Sequence, residues 1–111
     1  MHETTIAKKV IEDVKAKTSN AQVISVEVEV GELAPITAEE LKRALRLLID
    51  WDAKVDTREA LVDCSSCGYQ GKPKGVMRHH DVVTWECFKC QAKMPDALQG
   101  DKILIKSVKT K

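Results

Sequence analysis

Cys64-Ser65-Ser66-Cys67 and Cys87-Phe88-Lys89-Cys90 are two C-x-x-C pairs with 19 residues between them. Two residues between thiolates let one tight turn offer both sulfurs to a single ion. Two such turns complete a tetrahedron, so the spacing predicts a four-cysteine zinc ribbon with Cys64, Cys67, Cys87 and Cys90 as ligands. Gly68 follows the first pair and can take the positive φ that such a turn needs. Gln91 follows the second pair, which makes that knuckle less ideal. Val82, Val83 and Trp85 read as a strand leading into it. An iron centre of the rubredoxin type uses the same four ligands and stays open beside zinc. A redox dithiol fits the duplicated ribbon spacing less well. A closed site of four thiolates has no open coordination position, so the zinc is expected to be structural and to fold a segment that cannot fold alone.

On either side of this segment the hydrophobic pattern changes. Ile6, Val10, Ile11 and Val14 recur at helical spacing and predict an amphipathic helix over 5–18, ended by Ser19-Asn20. His2 lies ahead of that helix and is expected to pack little. Ile24, Val26, Val28 and Val30 alternate with Ser25, Glu27 and Glu29, the period of a strand with one wet face. Thr37-Ala38-Glu39-Glu40 is a capping box opening a second helix, with Leu41, Ala44, Leu45, Leu48 and Ile49 on one face to about residue 50. Ala60-Leu61-Val62 is a short strand candidate. Ile103, Ile105 and Ser107 alternate with Lys102, Leu104 and Lys106 in a last strand.

The fold class is therefore α+β. A small three-stranded sheet with two helices is interrupted by the inserted four-cysteine zinc ribbon. The expected division is a discontinuous α+β domain, 1–62 plus 101–111, and a zinc-binding domain, 63–100.

Composition excludes several classes. The chain has 111 residues and a formal net charge of +1, so no field over the whole protein draws it to nucleic acid or anionic membrane. No apolar run approaches the roughly 20 residues needed to span a bilayer. Met1-His2-Glu3-Thr4 lacks the basic start and apolar stretch of a secretory signal. A soluble cytoplasmic protein is expected, where disulfides are disfavoured and cysteines serve as metal ligands. No Ser/His/Asp arrangement, phosphate loop or paired acid motif stands out, so an enzyme is not expected.

Met1-His2-Glu3 is the second chemical feature. The Met1 amine, the His2 amide nitrogen and the His2 ring nitrogen can close two adjacent chelate rings, a planar nitrogen set suited to Ni(II) or Cu(II). Glu3 can add a donor or orient the ring. His2 is bulky, which should keep the initiator methionine in place. Elsewhere, Lys72, Lys74, Arg78, His79 and His80 sit in the ribbon. They support a rival reading, a nucleic-acid-binding or assembly module, although aromatic residues for base stacking are few. His79 and His80 are also possible metal ligands.

Together, Met-His-Glu at the start, Val30-Gly31-Glu32-Leu33, a second helix, two C-x-x-C knuckles and Gly100-Asp101-Lys102-Ile103-Leu104-Ile105-Lys106-Ser107 resemble the HypA family over essentially the whole chain. The resemblance implies a nickel metallochaperone for [NiFe]-hydrogenase maturation. It also implies nickel at Met1, His2 and Glu3 as transported cargo, and structural zinc at Cys64, Cys67, Cys87 and Cys90. A HypB-type GTPase and the hydrogenase large subunit are the implied partners, with no membrane and no nucleic acid. The sequence departs from the family in reading Leu41-Lys42-Arg43-Ala44-Leu45 where a Phe is often found, and in lacking the glycine of the second knuckle.

Overall fold

The computed structural model describes residues 2–19, 21–79 and 82–111, and only the main chain of His2. Helix α1 runs His2–Lys17, strand β1 Val23–Gly31, helix α2 Ala38–Leu48 and strand β2 Asp52–Arg58. Strands β3 (Leu61–Asp63), β4 (Gln70–Gly71), β5 (Lys74–His79), β6 (Val82–Glu86) and β7 (Asp96–Gln99) follow, and β8 (Ile103–Thr110) closes the chain.

The first layer is a three-stranded sheet in the order β2-β1-β8, with β1 parallel to β2 and antiparallel to β8. A parallel neighbour needs a long crossover, and α2 supplies it between β1 and β2. The alternation in β1 does what its period requires. Val26, Val28 and Val30 are buried against Ala7, Val10 and Val14 of α1 and Leu41, Ala44 and Leu45 of α2. Burying each such valine or leucine side chain contributes about 1.5–3 kcal/mol, so this one cluster dominates the layer's stability. Glu29 lies on the opposite face, 3.2 Å from Arg58 and 3.9 Å from Lys106. In β8 the register slips between Glu27 and Val28, because Glu27 faces Ser107 while Val28 already faces Ile105. That bulge turns Val108 toward the core and leaves Ser107 donating to Glu27 at 3.3 Å.

Two sequence expectations are corrected here. The first helix begins at His2, not residue 5, since nothing between His2 and Ile6 interrupts helical backbone and Glu3 is a favourable first-turn acid. Its end falls where expected. Ser19 takes a left-handed φ of 54° after Lys17, while Asn20 lies outside the described residues. The third strand of the first sheet is β2, not 60–62. Only Ala53 and Val55 of β2 pack on the core, too few apolar residues to announce a strand. Leu61–Asp63 instead pairs with β4 and β7 in a second sheet, β4-β3-β7, and β5-β6 form a separate hairpin.

The second core is small: Leu33, Ala60 and Val62, with Tyr69, Trp85 and Ala97 against it. Leu33 comes from the β1–α2 loop, so the first layer lends a side chain to the insert. The main chains cross tightly at this junction. Leu33 N–H donates to Gly100 O at 2.7 Å, Gly31 N–H to Lys102 O at 2.9 Å, and Ala60 N–H to a Glu32 carboxylate oxygen at 2.7 Å. From the hairpin, Arg78 donates to the carbonyls of Glu32 at 2.5 Å and Ala34 at 3.3 Å. No helix among the described residues is long and apolar enough to cross a membrane.

Candidate metal centre

Each cysteine pair sits in the same kind of turn. In the first, Gly68 N–H donates to Cys64 O at 2.7 Å and Cys64 N–H to Tyr69 O at 2.8 Å. In the second, Gln91 N–H donates to Cys87 O at 3.0 Å and Cys87 N–H to Ala92 O at 2.9 Å. Gly68 has φ 78° and Gln91 has φ 64°, so glutamine occupies the position that glycine takes in the first knuckle. The missing glycine leaves the geometry intact, and the chain accepts a left-handed non-glycine residue at a cost of about 1–2 kcal/mol.

The two turns face each other. Cys64 Sγ lies 3.6 Å from Cys90 Sγ, and Cys67 Sγ 3.6 Å from Cys87 Sγ. All four sulfurs lie within 4.8 Å of one another. A tetrahedron with metal–sulfur bonds of about 2.3 Å has edges of about 3.8 Å, so the four sulfurs fit one zinc ion with little adjustment. Among the described residues this is the one cluster of His, Cys, Asp and Glu side chains close enough to share a metal. Cys64 and Cys87 are buried, Cys67 is half-buried and Cys90 is exposed.

The protonation states are those of a site built for a cation. Burial opposes the Cys87 thiolate, but the N–H groups of Cys90 and Lys89 and the thiols of Cys67 and Cys64 bring it down to about 6. At Cys67 the Tyr69 N–H favours the thiolate. Burial and the sulfurs of Cys90, Cys87 and Cys64 outweigh it and push the thiol up to about 12. Thiolates must be deprotonated to bind a metal, so a divalent cation at this site would compete with the proton that Cys67 holds.

At the other end, Met1 and the His2 side chain lie outside the described residues. The His2 main chain opens α1, and Glu3 is half-buried in its first turn. Glu3 lies near Glu40, the last residue of the capping box that opens α2. Thr37 N–H donates to Glu40 Oε1 at 3.0 Å and Glu40 N–H to Thr37 Oγ1 at 3.1 Å. The Thr37 N–H first, and the Thr37 hydroxyl second, also donating to Oε1 at 3.0 Å, hold the Glu40 carboxyl below its usual range. The sequence identified Glu40 only as a cap; its meeting with Glu3 needs the packing of two helices. His79 is the exposed last residue of β5 and is not part of the cysteine cluster, and His80 lies outside the described residues.

A family model described as hydrogenase/urease nickel incorporation, metallochaperone, HypA matches residues 1–110. The chain belongs to the HypA family. HypA proteins are metallochaperones, not enzymes. Hydrogenase maturation factor HypA from Methanocella arvoryzae is 32% identical over 97% of this chain and 96% of its own length. The protein of the same description from Methanobrevibacter smithii is 34% identical, over 64% of each chain. That from Methanopyrus kandleri is 23% identical over 98% of this chain and 92% of its own. The fold agrees. The solution structure of the Ni metallochaperone HypA from Helicobacter pylori superposes with a TM-score of 0.65 at 19% identity, covering 97% of this chain and 96% of that one. A second HypA solution structure gives 0.53 at 22% identity, covering 99% and 96%.

Proposed function

We propose that this HypA-family chain binds Ni(II) at its N-terminal residues and delivers it for [NiFe]-hydrogenase maturation with a HypB-type GTPase. The observation that carries the reading is the match to a nickel-incorporation family from residue 1 to residue 110. The proposed donors are the Met1 amine and the His2 amide and ring nitrogens, with Glu3 in support. The helix start favours this set. The first N–H groups of an α-helix have no intrahelical acceptor, so the amide nitrogens of His2 and Glu3 can meet a metal without breaking α1. The positive end of the helix also favours a deprotonated, anionic amide. A carrier must release its cargo, and a shallow chelate at a helix end suits release better than a buried cage.

The four cysteines would hold a structural zinc ion, whose chemistry is to fix the two knuckles and so fold the insert. The proposed division is a nickel-binding domain of 1–62 plus 101–111 and a zinc-binding domain of 63–100. The pairing of Leu61–Asp63 with Asp96–Gln99 argues for setting the first boundary slightly earlier, just before β3, since Leu61 and Val62 belong to the second sheet.

The test compares the native protein, a form with one residue added before Met1, and His2→Ala, each assayed for nickel stoichiometry and for hydrogenase maturation in cells. The added residue turns the amine into an amide and moves the histidine to third place, which itself binds Ni(II) well in a planar site. That form is expected to hold nickel but fail in delivery. His2→Ala should lose the site and keep zinc and fold. Native maturation by His2→Ala without added nickel would refute the reading. Pull-down with the cognate GTPase tests the partner, and failure of the native chain to bind it would remove that part.

A further inference from the structure

The four sulfurs are not equivalent. Cys64 and Cys87 are 1% and 0% exposed. Cys87 also accepts the Cys90 N–H at 3.5 Å, which stabilises electron density on its sulfur and lowers its reactivity. Cys90 is exposed, at the open edge of the cluster between Lys89 and Gln91. Its sulfur lies 3.6 Å from that of Cys64 on the other knuckle. Its own knuckle is held in a turn closed by Gln91 N–H to Cys87 O, which keeps Cys87 and Cys90 apart as two ligands of one ion.

We infer that Cys90 is an oxidation site and that peroxide converts the centre to a Cys64–Cys90 disulfide, joining the two knuckles and releasing zinc. The inference rests on the zinc reading of this centre. In the first step the Cys90 thiolate attacks one oxygen of hydrogen peroxide. The S–O bond forms, the O–O bond breaks, hydroxide leaves, and Cys90 becomes a sulfenic acid. In the second, the Cys64 thiolate attacks that sulfur. The S–S bond forms, the S–O bond breaks, and a second hydroxide leaves. Two thiolates have lost two electrons to one peroxide, and two protons from solvent turn the hydroxides into water. The sulfurs must close from 3.6 Å to about 2.05 Å, a movement within reach of an exposed side chain at a turn end. Zinc keeps two of its four ligands and leaves. The new bond then holds the knuckles together in place of the metal, so the insert stays closed.

The experiment uses the full-length protein loaded with zinc, and metal content is measured first. Iron, or clearly less than about one zinc per chain, defeats the zinc reading and this inference with it. The loaded protein is then treated with one equivalent of hydrogen peroxide while a chromogenic chelator follows zinc. Aliquots are trapped with a sulfenic-acid reagent and mapped by mass spectrometry. Trypsin cuts after Lys89 and separates Cys87 from Cys90, and fragmentation of the Cys90-linked peptide tells Cys64 from Cys67, which no tryptic site separates. The expected result is an early sulfenic adduct on Cys90, a later disulfide to Cys64, and zinc release in step with the disulfide. A first adduct on any other cysteine, a Cys87–Cys90 or Cys64–Cys67 disulfide as first product, or full zinc retention would each overturn the assignment.

Discussion

Replacing Gly31 with alanine should be among the most damaging single-methyl additions to this protein. Gly31 does not have positive φ, so alanine meets no backbone penalty there and even lowers the entropy of the unfolded chain. The damage is steric. A Cβ on Gly31 would overlap the carbonyl carbon and oxygen of Gly100 and lie 2.7 Å from its Cα. Carbon atoms rest at about 3.5–4.0 Å, so the end of β1 and the β7–β8 turn must part by about 1.5 Å. Gly100 cannot yield freely, because it is itself wedged against Ala60 and Glu59. Parting them stretches Leu33 N–H to Gly100 O, now 2.7 Å, and Gly31 N–H to Lys102 O, now 2.9 Å. Each buried donor left without a partner costs about 1–3 kcal/mol. The expected loss is about 3–5 kcal/mol, a large part of a typical stability of about 5–15 kcal/mol. Gly68→Ala is the control. It has positive φ and nothing within 4 Å of the added methyl, so it carries only a conformational cost of about 1–2 kcal/mol. Urea unfolding of both zinc-loaded variants, with zinc and reductant in excess, measures the difference. A Gly31→Ala loss no greater than that of Gly68→Ala would refute the claim that this crossing is closely packed.

Gln91→Gly should stabilise the second knuckle by about 0.5–1 kcal/mol, since relief of the left-handed strain exceeds the added freedom of the unfolded chain; slower zinc loss to a chelator is the readout, and faster loss would contradict it. Cys67→Ala should unfold the insert while α1 and α2 keep their circular-dichroism signal, because the main core contains no residue of 61–99; collapse of the helical signal would mean that the first layer cannot stand alone. Glu40 has a lowered carboxyl pKa, so its cap contributes stability above about pH 4.5 and loses it as the pH falls through the folded value. The stability gap between wild type and Glu40→Gln should therefore shrink on acidification below about 4.5, and a gap that widens instead would reverse the sign. Nickel affinity should weaken from about pH 8 to about pH 6 as protons compete for the His2 ring and the Met1 amine, whereas a flat titration would remove both from the ligand set.

The residues that could be read from sequence are those whose chemistry is local. C-x-x-C fixes two sulfurs through one turn, a capping box needs only Thr37 and Glu40, and the valines of β1 declare their buried face by period alone. Strand β2 escaped because an edge strand needs few apolar residues, and Ala53 with Val55 is a short signal. Leu61–Val62 was legible as a strand but not as a member of the second sheet, since strand partners are chosen across the chain. Gln91 had no sequence mark of its left-handed backbone. The tie from Arg78 to the carbonyls of Glu32 and Ala34, and the meeting of Glu3 with Glu40, depend on how separate elements pack, which no local pattern encodes.

The position of β8 has a consequence for how the chain acquires its fold during synthesis. Strand β1 is central and needs β8 on its free edge, yet the whole insert is made between them. A ribosome therefore releases α1, β1, α2 and β2 with one side of β1 unpaired. A row of open hydrogen-bonding groups is then exposed until Ile103–Thr110 emerge. The insert, closed by its metal, is complete by residue 99. The segment translated later and ordered first would then carry β8 back to β1, and the helical layer, though begun at residue 2, would be the last to finish.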